Sequence, residues 1–139
     1  MMKNLNTKLE ILEAFPGAHS LISVPKEELD DLWSFLPQLD VEGVQRLLPC
    51  LMLTALEASE QRISIPLADQ VVYYLDGIEK DRPLGERDLN HKVRIFELFS
   101  NAQIAAIVSW LDFVSYLPFT RSASLERDSA LTFWRERKK

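Results

Sequence analysis

Apolar positions along this chain recur three and four residues apart, the period of a helix packed on one side. They almost nowhere alternate as in a half-buried strand. Near the start, Asn6 or Thr7 is placed to cap a short helix running to Phe15, and Pro16-Gly17 stops it. A second start signal follows: Ser23 as the cap, Pro25 in the first turn, and Glu27, Glu28, Asp30 and Asp31 just inside. The helix it predicts carries Leu29, Leu32, Trp33 and Leu36 on one side and ends before Pro37. Asp40 begins a third segment with Val41, Val44, Leu47 and Leu48 aligned. Pro49 either kinks this helix or opens a new one reaching Ala58.

Residues 63–65 read as a short extended piece. Pro66 opens a helix through Ile78 whose stripe holds Leu67, Val71, Tyr74, Leu75 and Ile78. Residues 80–87, with Asp81, Pro83 and Gly85, form the clearest loop. A helix over 89–99 turns Val93 and Phe96 inward. Ser100 with Gln103 then matches a capping box. In the helix that follows, Ile104, Ile107, Trp110, Leu111 and Phe113 spread over about half the circumference. Ser109, Asp112, Ser115 and Tyr116 are left as a polar strip. So wide an apolar arc predicts a central helix. Ser122 or Ser124 caps a last helix, with Leu125, Leu131 and Trp134 inward and its arginines outward. The expected fold is all-α: one compact domain over 1–139, a bundle of six to eight short helices.

Composition fits that picture and narrows the partners. The chain has 139 residues, 47% hydrophobic and 27% charged, enough to bury a core without staples. Its one cysteine, Cys50, cannot form an internal disulfide and lies in an apolar run, as a buried small residue would. A reducing compartment fits. No apolar stretch is long enough to span a bilayer, and residues 1–10 lack a signal-peptide core, so a cytoplasmic location is expected. Net charge is −5 and uneven: residues 1–79 hold thirteen acids against five bases, residues 80–139 eight against eleven. An acidic front argues against nucleic acid, which calls for a basic stripe. The terminal cations Arg135, Arg137, Lys138 and Lys139 suit a helix C-terminus.

Motifs for chemistry are missing. The two histidines, His19 and His91, stand without a second His or Cys at ligand spacing, and His19, His91 and Cys50 are not expected to converge. His91 could touch Asp88, three residues before it. The glycines are isolated, so there is no phosphate loop. Asp69 and Asp76 lack the Glu-x-x-His partners of a carboxylate-bridged metal pair, and they read as a solvated helix face. No cofactor, metal or catalytic group is expected. What stands out is the acidic group Glu27, Glu28, Asp30 and Asp31. It either complements a helix dipole or presents an acidic face to a basic protein partner. An exposed aromatic beside it, from among Trp33, Tyr73, Tyr74 and Trp110, would be a contact anchor.

Four pieces, taken in order, resemble a family of small bacterial helical proteins of uncharacterised function. They are Ile11-Leu12-Glu13-Ala14-Phe15; Leu47-Leu48-Pro49-Cys50-Leu51; Phe99-Ser100-Asn101-Ala102-Gln103; and Ala130-Leu131 with Phe133-Trp134. Phe133 stands where that family usually has a tyrosine. The resemblance implies a compact helical fold and no known activity. In size and charge the chain is similar to bacterial immunity proteins, which neutralise toxins. The first expectation is a non-enzymatic protein-interaction domain, immunity-like or regulatory. The alternatives are a ligand binder or enzyme with an inter-helix pocket, and a structural subunit of a larger complex.

Overall fold

A computed structural model describes residues 2–21, 23–32, 36, 39–60, 71, 72, 74, 75, 96–114 and 124–137. Among them lie five helices and no strand: α1 (Met2–Ala14), α2 (Lys26–Leu32), α3 (Val41–Glu60), α4 (Asn101–Val114) and α5 (Ser124–Arg137). Residues 71, 72, 74 and 75 are also helical, as the stripe through Tyr74 and Leu75 predicts. The expected extended piece at 63–65, the loop at 80–87 and most of the 89–99 helix lie outside the described residues, so the count of six to eight helices is not reached within them.

α1 begins earlier than its cap signal predicts. Asn6 and Thr7 stand inside the helix, and Thr7 is buried with Ile11 and Phe15. Tertiary packing selects this start, because α1 lies against both α3 and α4. Gly17 takes a positive φ of 91° in the turn that follows, a conformation glycine enters without steric cost. α2 starts at Lys26 rather than directly after Ser23. Pro25 supplies its first carbonyl, which accepts the Glu28 N–H at 3.0 Å.

Asp40 caps α3 as expected. Its Oδ1 accepts the Gly43 N–H at 2.9 Å, and its carbonyl accepts that of Val44. Pro49 does not divide the segment, for α3 runs unbroken for 20 residues. The lost hydrogen bond is tolerated because this stretch is deeply packed. Leu48, Leu51, Met52, Ala55 and Leu56 have no exposure, and a fully buried Leu contributes roughly 1.5–3 kcal/mol.

The Ser100–Gln103 capping box forms in both directions. Ser100 Oγ accepts the Gln103 N–H at 3.1 Å, and Gln103 Oε1 accepts the Ser100 N–H at 3.0 Å. α4 is the central helix its apolar arc predicts, packed on α1 and α5, with Trp110 and Leu111 at zero exposure. Its polar strip is used. Ser109 donates to the Glu10 carboxylate on α1 at 2.9 Å, and Asp112 lies 3.9 Å from Arg135 on α5. Ser115 and Tyr116 lie outside the described residues.

Buried aromatics join the layers. Phe15 meets Phe99 edge-on at 6.2 Å, and Phe96 sits 4.9 Å from Trp134 and 5.5 Å from Tyr74. Both buried tryptophans hand their one N–H to a carbonyl of another segment, Trp110 to Met52 at 3.0 Å and Trp134 to Leu75 at 2.8 Å. A buried indole donor left unmade would cost about 1–3 kcal/mol. Among the described residues no helix is long and apolar enough to cross a membrane.

Candidate functional site

Two surface features rise out of this frame. The first is an apolar stripe on α1. The helix buries Thr7, Ile11 and Phe15 on one side and leaves Leu5, Leu9 and Leu12 at 50%, 49% and 38% exposure. Spacings of four and three place these leucines on adjacent turns, within an arc of about 60°. Charged groups border them: exposed Glu13 on one side, and on the other Lys8, which lies 3.5 Å from Glu60 of α3. Nothing in the sequence pattern distinguished these leucines from core positions, because exposure depends on where the neighbouring helices lie.

The acidic group falls on α2. Glu27 and Glu28 occupy its first turn, and Glu27, Glu28 and Asp31 are exposed; the Asp30 side chain lies outside the description. Spacings of three and four bring Glu27 and Glu28 onto the side of Asp31. α2 is seven residues long, so the dipole these acids complement is a small one. Trp33 and Tyr73, two of the four candidate anchors, lie outside the described residues. Trp110 and Tyr74 are buried, so neither is an exposed anchor.

The second feature is a cleft of about 310 Å³ between the turn after α1 and the middle of α3. Phe15, Pro16, Ala18 and His19 form its first wall, and Gln45, Arg46, Pro49 and Cys50 the other. His91 lies outside the described residues, so the expectation about the three together falls outside them too; His19 and Cys50 both line this cleft. The cause is a long-range pin. The Leu21 N–H donates to Thr54 Oγ1 at 2.7 Å, and that hydroxyl donates onward to the Cys50 carbonyl at 2.6 Å. This folds residues 16–21 back along α3, a contact 33 residues apart that no local spacing encodes.

Within the cleft, Cys50 Sγ donates to the Arg46 carbonyl at 3.2 Å, and His19 Nδ1 lies 3.3 Å from the Gly17 carbonyl. Arg46 is largely exposed, with Glu42 at 3.9 Å. Among the described residues no group of three or more His, Cys, Asp or Glu could hold a metal ion. Asp69, Asp76 and His91 lie outside them.

Residues 7–138 match the model of a family described as a family of unknown function, DUF6714. No curated protein and no solved structure matches the chain.

Proposed function

We propose, for a chain that belongs to the DUF6714 family, that it is a non-enzymatic protein-interaction domain that binds a basic, amphipathic segment of a partner. The observation that carries this is the α1 stripe: Leu5, Leu9 and Leu12 exposed on successive turns of a helix whose other side is core. Exposed large apolar side chains in contiguous array, rimmed by polar groups, are a signature of contact surfaces. Here the rim carries Glu13 and the Lys8–Glu60 pair, and further exposed acids stand on α2. An apolar stripe edged with carboxylates complements a helix with leucines on one face and lysines beside them. The acids of α2 add to a negative field that speeds encounter with a cation-rich partner. A regulatory or immunity-like role, in a bacterial cytoplasm, belongs to the same proposal.

The test compares the wild-type chain with a Leu5→Gln/Leu9→Gln variant. Both are immobilised in lysate of the native cell and their retained proteins quantified by mass spectrometry. Circular dichroism confirms that the variant is folded. We expect at least one basic protein held by the wild type and lost by the variant, its retention falling as salt rises. Identical retained sets from the two chains would sink the proposal.

A further inference from the structure

The cleft beside Pro49 has a chemistry of its own, independent of the α1 stripe. We propose that it binds the carboxylate end of an N-acylated amino acid, the group shared by small metabolites of that kind and by a peptide C-terminus. Charge sets the anionic half of the ligand. The chain carries a net charge of −5, yet none of the cleft's lining residues is acidic, and Arg46 is the cation among them. Its guanidinium has five donors in a planar fork and only a 3.9 Å contact with Glu42, so it has capacity for a second carboxylate.

The α1 C-terminus points negative dipole at this region, but its end is blunted. The Ala14 carbonyl accepts the Gln103 amide at 3.3 Å, and the Phe15 carbonyl accepts the Ala18 N–H at 3.1 Å.

Pro49 sets the other half. A proline nitrogen has no proton, so the Gln45 carbonyl, one turn earlier in α3, lacks the N–H that an ordinary residue at position 49 would donate to it. Both residues line the cleft. An acceptor without its usual N–H beside an arginine suits a ligand that brings its own amide N–H next to a carboxylate. Free phosphate offers the charge without an apolar side chain. Phe15, Pro16, Ala18 and Pro49 give an apolar wall for the ligand's side chain, and about 310 Å³ holds one residue of it. That volume sits at the lower end of the roughly 300–1,000 Å³ range of small-molecule sites.

The experiment is a heteronuclear NMR titration of the full chain with N-acetyl-leucine. Saturable shifts confined to residues 15–19 and 45–50 are expected. N-acetyl-leucine amide, which lacks the carboxylate, and inorganic phosphate should each bind at least tenfold more weakly. Arg46→Gln should weaken N-acetyl-leucine at least tenfold; the side chain is exposed, so the fold is kept. Pro49→Ala restores an N–H to the Gln45 carbonyl and should weaken binding severalfold while leaving the helical signal intact. A tetrapeptide ending in leucine that binds as well as N-acetyl-leucine identifies a peptide C-terminus as the source; tenfold weaker binding identifies a small molecule. No saturable shift at millimolar ligand, or equal affinity in Arg46→Gln, would overturn the proposal.

Discussion

The side-chain amide of Gln103 donates to the backbone carbonyl of Ala14 across 3.3 Å, so the residue that opens α4 also closes α1. Its oxygen meanwhile accepts the Ser100 N–H and stands 3.5 Å from Gln45 Nε2 of α3. One glutamine therefore joins three helices. Gln103→Ala should lower stability by about 2 kcal/mol, more than the roughly 1 kcal/mol of an isolated cap. Gln103→Glu keeps an acceptor for Ser100 but, when ionised, cannot donate to Ala14, and should fall between the two. Urea unfolding of the three proteins measures this. Equal stability of Gln103→Glu and wild type would mean that the Ala14 bond contributes nothing.

Thr54 is buried with both hydroxyl functions in use, accepting from Leu21 and donating to Cys50. Thr54→Val keeps the shape and removes the oxygen. It should cost about 1–3 kcal/mol, because the Leu21 N–H loses its acceptor in a part-buried place. Thr54→Ser, which keeps the hydroxyl, should cost about 1 kcal/mol or less for the lost methyl. Chemical denaturation gives both values. Amide exchange at Leu21 should quicken in Thr54→Val and stay slow in Thr54→Ser.

An added Cβ at Gly17 would meet nothing within 4 Å, so space is no obstacle there. The obstacle is the backbone, whose φ of +91° an L side chain rarely adopts. Gly17→Ala should therefore cost about 1–2 kcal/mol through conformation alone. A thermal melt unchanged from wild type would contradict it.

Burial pushes the Tyr74 hydroxyl well above the usual tyrosine range. The sign follows from linkage. Unfolded Tyr74 loses its proton near pH ~10, while the folded residue keeps it. Stability is thus fully present below that pH and declines as pH rises above it. Tyr74→Phe should flatten this alkaline decline. Unfolding curves between pH 9 and pH 11, about one unit either side of the unfolded value, test it. A decline equally steep in the variant would assign it to other groups.

Trp110 and Trp134 each spend their indole N–H on a carbonyl of another segment. Replacing either by Phe removes the donor and leaves a gap in a core with zero exposure at both positions. Each change should cost about 2–3 kcal/mol. If the same change at both sites proved neutral in denaturant titration, these bonds would not be structural.

Local chemistry was enough to place much of this chain. The apolar period gave the helices. Asp40 and Ser100–Gln103 mark helix starts because a cap is a short-range hydrogen bond between residues three apart. The wide arc around Trp110 and Leu111 marked the central helix, because burial from several sides leaves few polar positions. Family membership over residues 7–138 agrees with the resemblance to a family of uncharacterised function.

What only the tertiary structure decided are relations between residues far apart in the chain. α1 starts before its apparent cap because one side of it, Thr7 included, is buried in a helix packed on α3 and α4. α3 runs through Pro49 because packing around it outweighs one missing hydrogen bond. Leu5, Leu9 and Leu12 share a face by their spacing and that face is surface, since a helical period says which residues share a face but not which face meets a neighbour. His19 comes to the cleft of Cys50 through the bond from Leu21 to Thr54, an encounter set by how the chain folds back.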